Sequence, residues 1–318
     1  MDVRVQAKRV EATDIVVLEL AALQGHALPP FSAGSHIDIE VRPGLARQYS
    51  LCNDPSETHR YVVAILREPL SRGGSSFIHA GLNEGDTVRI GAPKNHFPLQ
   101  SDGQRHVLFA GGIGITPLLC MSERLARTDK AFALHYCVRS ADRAAFRARL
   151  AAPDLAARVH VHRDDGDAAQ KLDVARALGA YTPGAHAYVC GPGGFIAWVL
   201  DAARQAGWPE GALHREYFTP PDTGVAAAPA EAFQVRLASS DRVIDIPAER
   251  SVMQVLAEAG VELPSSCEQG TCGSCLTRVL EGIPDHRDVY LTDDERAAND
   301  QFTPCVSRAK TPLLVLDI

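Results

Sequence analysis

Four cysteines constrain this chain more than any other feature. Cys267, Cys272 and Cys275 follow a C-x4-C-x2-C spacing within Ser266-Cys267-Glu268-Gln269-Gly270-Thr271-Cys272-Gly273-Ser274-Cys275, and Cys305 lies far downstream. This is the plant-type ligand run of a [2Fe–2S] cluster, in which four thiolates hold two irons. Three ligands on one short loop need a backbone that folds around an inorganic core. Gly270 and Gly273 supply positive φ and unobstructed amides able to donate to the cluster sulfurs. A structural zinc site would show paired C-x2-C knuckles, and only one such pair is present. The other four of the eight cysteines, Cys52, Cys120, Cys137 and Cys190, are scattered through apolar or turn contexts and suggest no disulfide framework.

At 318 residues the chain has room for two or three domains, with the apolar and charged fractions of an ordinary soluble protein. The start, Met1-Asp2-Val3-Arg4-Val5, lacks the apolar core of a signal peptide, and no apolar run approaches membrane-spanning length. Free thiols and an oxidisable cluster then point to the cytoplasm. Residues 1–228 carry 24 acidic and 24 basic side chains, whereas 229–318 carry 15 acidic and 8 basic, so the cluster-bearing segment holds the whole net charge of −7. Nucleic acid is excluded as a partner there. An acidic face offered to a protein partner and a surface tuned for solubility explain the charge equally well.

Up to residue 100 the pattern is one of short alternating strands, at Val3–Val10, Asp14–Leu20, His36–Val41, Tyr61–Leu66 and Thr87–Ile90. They predict an antiparallel β-barrel. Within it, Arg47-Gln48-Tyr49-Ser50 offers a guanidinium fork, a flat ring and a hydroxyl on one extended segment, which answers the needs of a flavin. Alone, such a strand is more often surface snorkelling plus barrel packing. Downstream, Arg72-Gly73-Gly74-Ser75-Ser76 offers amides and hydroxyls at a helix start, suited to a phosphate end group.

From 101 to 224 strands alternate with helices. Buried strands are expected at Val107–Ala110, Phe132–Val138, Val159–His162 and His186–Cys190, and helices at Pro117–Arg127, Ala141–Leu150, Asp173–Leu178 and Phe195–Gln205. A doubly wound parallel α/β sheet is the natural reading. Gly111-Gly112-Ile113-Gly114-Ile115-Thr116-Pro117 turns the first strand into a helix, with Thr116 as N-cap and Pro117 at the first helical position. Cys190-Gly191-Pro192 makes a second such turn. A glycine-rich turn is usually only a tight turn, yet both fall at strand carboxyl ends, where open α/β sheets bind nucleotides.

A linker rich in Pro, Ala and Gly spans Thr219–Glu231. Over 229–318 a hairpin (Phe233–Leu237 and Val243–Ile246), a helix from Ser251 to Glu258 with Ser251 and Gln254 as its capping box, the cysteine loop and closing strands describe a small sheet gripping one helix, a β-grasp ferredoxin-like domain. There is no internal repeat and no Gly-x-Ser-x-Gly elbow. His160 and His162 share a strand face without thiol or carboxylate neighbours, and read as packed or solvated side chains.

In this order of barrel, nucleotide sheet and cluster domain, the sequence resembles the phthalate dioxygenase reductase family, which includes the reductases of vanillate-type O-demethylases. The resemblance runs through Arg47-Gln48-Tyr49-Ser50-Leu51-Cys52-Asn53-Asp54, Arg72-Gly73-Gly74-Ser75, Ala110 to Pro117, Cys190-Gly191-Pro192 and the four cysteines. It implies FMN, NADH, one [2Fe–2S] cluster and a Rieske-type oxygenase as electron acceptor; separately, the protein is expected to be a monomer. In its terms Arg47, Gln48, Arg72, Gly74 and Ser75 belong to the flavin site, with Tyr49 flanking the flavin and Ser50 approaching its reactive nitrogen. Gly111, Gly112, Gly114, Thr116 and Gly191 carry the dinucleotide, and Cys190 lies close to the nicotinamide. Glu216 and Phe218 match a family segment ending in Glu-x-Phe whose ring covers the flavin, although here Tyr217 precedes Phe218 and Thr219-Pro220 follows it. Ser50, Cys190 and Glu216 are the catalytic candidates. Two alternatives are a reductase serving a haem or di-iron oxygenase and a redox-sensing electron carrier, the latter having no need of an NADH pocket. Arg139, Ser140 and Arg143 stand where a ribose 2′-phosphate would be met, while Asp142 among them disfavours one.

Overall fold

Alternation sets the first layer: Val3 and Val5 are fully buried while Asp2 and Arg4 between them face water. The computed structural model describes residues 1–42, 45–68, 73–220 and 231–318. They form two compact units, Met1–Glu216 and Tyr217–Ile318, so the domain boundary expected at 100/101 lies inside the first. Strands β1 (Asp2–Ala12), β2 (Ile15–Ala22), β5 (Tyr61–Leu66) and β6 (Thr87–Arg89) make one sheet in the order β5-β2-β1-β6. β3 (His36–Arg42) pairs with β4 (Leu45–Ser50) in another. Antiparallel bridges Ile39↔Ile90 and Leu51↔Val63 join the two sheets at both ends, closing an antiparallel barrel. Its core holds Val3, Leu18, Ile37, Ile39 and Ile65, with Ile78 contributed by α1 (Gly74–Gly81).

The second layer of the same unit is a parallel sheet of β7 (Arg105–Gly111), β8 (Ala131–Val138), β9 (Val159–Arg163), β10 (Ala185–Cys190) and β11 (Leu213–Glu216), in the order β11-β10-β7-β8-β9. Its helices are α2 (Ile115–Arg127), α3 (Arg147–Leu150), α4 (Val174–Leu178) and α5 (Gly193–Gln205). The chain winds outward from β7 through β8 to β9, then returns to the other side of β7, which creates a switch point between β7 and β10. Apolar side chains of α2, β7, β8 and β10 share one core with Ile15, Val17 and Cys52 of the barrel.

Three expectations are corrected here. The helix expected over Ala141–Leu150 is a 3-10 turn at Ala141–Arg143 followed by α3, interrupted by Phe146 in the left-handed region at φ 59°. Contacts to the β1–β2 corner override helix propensity: the Phe146 amide donates to Glu11 Oε1 at 2.8 Å, and Thr13 Oγ1 donates to Asp142 at 2.6 Å. Strand β9, expected to be buried, is the sheet edge, and Val161 is exposed. Thr116 is not the N-cap, because Gly112–Gly114 coils into a 3-10 turn and α2 begins at Ile115. The Thr116 hydroxyl then donates back to the Ile113 carbonyl at 3.0 Å.

The second unit contains β12 (Phe233–Leu237), β13 (Val243–Ile246), β14 (Thr277–Glu281), β15 (Pro284–Asp285), β16 (Gln301–Phe302), β17 (Arg308–Ala309) and β18 (Leu313–Leu316). Five of them form a mixed sheet ordered β13-β12-β18-β14-β16, and β15 pairs with β17. α6 (Val252–Glu258) buries Val252 and Leu256 into the core with Phe233, Val235, Val279 and Leu314. Its Ser251/Gln254 capping box is present. A second helix, α7 (Asp293–Ala298), has its own capping box from Thr292 and Glu295. The expected linker falls largely on 221–230, outside the described residues. Among the described residues no helix is long and apolar enough to cross a membrane.

Gly34 tests how firmly the first unit is locked. Its φ is +93°, and a Cβ there would lie 1.9 Å from the Phe97 carbonyl oxygen. Gly34→Ala is expected to cost at least about 2 kcal/mol in urea unfolding. A loss below about 0.5 kcal/mol would show that this close approach is not rigid.

Candidate functional site

The parallel sheet ends three neighbouring strands at one level. Cys190 lies beside Ala110 on one side and Glu216 on the other, and each strand then breaks into a turn or loop. The two glycine turns meet there. A Cβ at Gly114 would stand 2.2 Å from the Cys190 carbonyl oxygen, and one at Gly191 would stand 2.9 Å from Gly111 Cα, so only glycine allows the backbones this close. Gly112 adopts φ +54° with open space where its side chain would be. α2 follows, its Ile115 amide donating back to the carbonyls of Gly112 and Ile113.

The barrel presents β4 to the same place. Ser50 Oγ donates to Glu216 Oε2 at 3.4 Å, across 166 residues of sequence. Glu216 keeps part of its surface open, yet enough protein surrounds its carboxyl that burial pushes its pKa up to about 8, against the lowering effect of the Ser50 hydrogen bond. Burial, and then the Glu216 charge, raise the Cys190 thiol well above its ordinary value. Ser50, Cys190 and Glu216 are thus one cluster of protonated groups at neutral pH.

Further along β4, the Gln48 amide lies 2.9 Å from His36 Nε2. Burial holds His36 down to about 4, so its imidazole is neutral. Tyr49 packs on the barrel core, and burial pushes its phenol up to about 12. The Arg47 stem lies across the start of α1, where a Cβ at Gly74 would come within 2.8 Å of Arg47 Cγ. Ser75, buried in the first turn of that helix, accepts from the Glu68 amide at 3.0 Å. A guanidinium beside a helix start and a hydroxyl make a donor set that fits a phosphate. Arg72 lies outside the described residues. Phe218 belongs to the second unit and is 37% exposed.

In the second unit the four cysteines gather as two pairs. Cys275 Sγ and Cys305 Sγ are 3.4 Å apart, and the Cys272 thiol donates a hydrogen bond to Cys267. The Gln269 amide donates to Cys267 Sγ at 3.3 Å and the Ser274 amide to Cys272 Sγ at 3.4 Å. Two thiol pairs supplied with amide donors fit a two-iron cluster. None of the eight cysteines is in a disulfide.

The loop glycines are required by a segment that the sequence did not point to. A Cβ at Gly273 would lie 2.3 Å from Tyr290 Cζ, and one at Gly270 would meet Val306 at 2.6 Å and Asp288 Cα at 3.0 Å. The Val289 amide donates to the Gly270 carbonyl at 3.0 Å. Buried Asp288 in turn accepts from the amides of Tyr290 and Leu291. Residues 288–290 therefore strap the cysteine loop. Only α7, through Thr292-x-x-Glu295, had a local signal that would have found this region. His162, read from sequence as a packed or solvated residue, has Nε2 3.0 Å from His135 Nδ1 and Nδ1 2.9 Å from the Gln170 carbonyl.

The Glu216 environment has a pH signature. An acid with a folded pKa of about 8 and an ordinary value of 4.5 binds more protons folded than unfolded across that window. Its contribution is fully present below about pH 4.5 and is lost as pH rises through 8. Glu216→Gln, which cannot ionise, is therefore expected to gain stability relative to the parent protein between pH 5 and 8 in urea melts. Parallel pH curves would mean that the carboxyl ionises normally.

Residues 235–310 match the family model of the 2Fe-2S iron-sulfur cluster binding domain, and 93–213 match that of the dimethylamine monooxygenase subunit DmmA-like N-terminal domain. The vanillate O-demethylase oxidoreductase of Pseudomonas sp. (strain HR199 / DSM 7063) is 50% identical over 318 residues, covering all of both chains. Among solved structures, an intact type IV self-sufficient cytochrome P450 monooxygenase matches at 37% identity and TM-score 0.87, over all of this chain and 41% of that one. Phthalate dioxygenase reductase, described as a modular structure for electron transfer from pyridine nucleotides to [2Fe-2S], matches at 41% identity and TM-score 0.74, over all of this chain and 98% of that one. With full-length identity at this level and these motifs in place, the chain belongs to the phthalate dioxygenase reductase family of flavin and iron–sulfur oxidoreductases, together with the vanillate O-demethylase oxidoreductases.

Proposed function

We propose that this protein is the reductase component of an oxygenase system, taking a hydride from NADH and delivering single electrons to a terminal oxygenase of the Rieske type. The observation that carries this reading is the convergence of Ser50, Cys190 and Glu216 beside two touching glycine turns, on the same chain as four paired thiols. Bound FMN supplies the conversion between a two-electron donor and a cluster that accepts one electron at a time at about −400 mV.

The protein's own part is binding, orientation and proton placement. Arg47, Ser75 and the first turn of α1 would hold the flavin phosphate, and Tyr49 would flank the flavin. The neutral His36 fixes the Gln48 amide beside them. Gly111, Gly112, Gly114 and Gly191 would let the dinucleotide backbone approach, beside Thr116 at the start of α2. Cys190, kept as a thiol, is an uncharged wall for the nicotinamide. Glu216, protonated up to about pH 8, holds a proton that Ser50 Oγ can share. Cys267, Cys272, Cys275 and Cys305 would hold the cluster, which supplies one-electron transfer.

A haem oxygenase is a second acceptor, favoured by the likeness to part of a self-sufficient cytochrome P450 monooxygenase. Adding NADH to the reductase with each purified oxygenase, and following which one is reduced, separates the two. An electron carrier without turnover would show no flavin bleaching with NADH.

Cys272→Ser is expected to abolish oxygenase reduction while leaving NADH oxidation by ferricyanide within about twofold. Loss of both activities with FMN still bound would refute the division of labour between the two units. The exposed acidic groups Glu268, Asp293, Asp294 and Glu295 set a further expectation. Steering of a basic oxygenase face is screened over about 8 Å at physiological salt. Oxygenase reduction should therefore slow with ionic strength in stopped-flow, while flavin reduction by NADH changes little. A flat oxygenase rate would leave the acidity with a role in solubility alone.

A further inference from the structure

The phosphate end of the proposed flavin site depends on α1, a helix of only eight residues, and an isolated helix that short does not hold its shape in water. Its far end is held by a residue seventy positions away. Lys8, half-buried on β1, directs its ammonium at three carbonyls of the closing turn: Ile78 at 2.9 Å, His79 at 2.7 Å and Leu82 at 2.6 Å. The Ile78 and His79 carbonyls are among those that lack intrahelical partners at a helix end, and all three ammonium protons are used on the group. The Lys8 backbone is itself fixed, since its amide donates to Glu84 Oε1 at 2.9 Å. At the other end the N-cap is Gly73, at φ 90°. The Arg47 stem lies over Gly74 there. The helix thus has a cation on its negative end and a donor-rich positive end beside a guanidinium, both favouring an anion at the start of α1.

We propose that Lys8 is a positioning residue for flavin phosphate recognition, acting through α1 to hold the amides of the first turn in place. The inference rests on the phosphate assignment made above for Arg47, Gly74 and Ser75. Removing the ammonium leaves the last carbonyls unpaired, frays one of only two turns and loosens the first. Because the effect reaches the ligand only through its phosphate, FMN and riboflavin must respond differently.

The test is binding of FMN and of riboflavin to full-length protein stripped of flavin, followed by quenching of flavin fluorescence, for the parent protein, K8M and K8R. K8M is expected to bind FMN about tenfold more weakly and riboflavin unchanged, with K8R restoring most of the FMN affinity. Equal weakening of both ligands would overturn the inference and leave Lys8 only stabilising the barrel, and an unchanged FMN affinity in K8M would overturn it while leaving the phosphate site standing. A parent protein that binds riboflavin as tightly as FMN would overturn the phosphate assignment and this inference with it. Should K8M not fold, K8Q, which keeps a polar donor without the charge, is read against the same outcomes.

Discussion

The closest backbone approach at the candidate site, Gly114 against the Cys190 carbonyl, is the constraint on which the rest of the first unit depends. Two strand-to-helix turns occupy one point at the carboxyl edge of the sheet, and any side chain at Gly114 would drive them apart. The register of β7, β10 and β11 then sets Ala110, Cys190 and Glu216 side by side, so that a buried thiol and a protonated carboxyl line the same edge. Ser50 reaches that edge from the barrel because the two layers share one apolar core, in which Cys52, two residues after Ser50, packs with α2 and β7. Polar groups secure the join: Arg149 donates to the Cys52 carbonyl and pairs with Glu123 at 2.7 Å, and Arg127 pairs with Asp54 at 3.0 Å.

The second unit applies the same device to a different task. Its cysteine loop keeps glycines at 270 and 273 because the 288–290 segment and Val306 lie directly over them. The strap is held by buried Asp288, whose carboxylate is used on backbone amides rather than on solvent. Thiol pairing is therefore prepared by backbone packing, and the amides of Gln269 and Ser274 are already directed at sulfur.

Charge in this unit serves more than one purpose. Asp293, Asp294 and Glu295 form the first turn of α7, where negative side chains complement the helix dipole, and Glu295 closes the capping box with Thr292. Part of the acidic surplus is thus structural. The carboxylates of Asp293 and Asp294 still face water, so the same residues leave a negative field for a partner to meet.

The sequence by itself determined whatever rests on local pattern. The cysteine spacing, the glycine turns after apolar strands, the period-two alternation of the barrel and the Ser251 capping box each express a constraint contained within a dozen residues. Tertiary structure decided the rest. Phe146 breaks an expected helix because the Glu11 carboxylate captures its amide, and Thr116 loses the N-cap position because three residues coil ahead of it. β11, which places Glu216, carries a pattern too short to distinguish a strand from a loop. The Ser50–Glu216 contact, the Lys8 anchor of α1 and the Tyr290 cover over Gly273 all join segments far apart in the chain. No periodicity within either segment encodes such a meeting; it exists only once burial of the cores has brought the layers together.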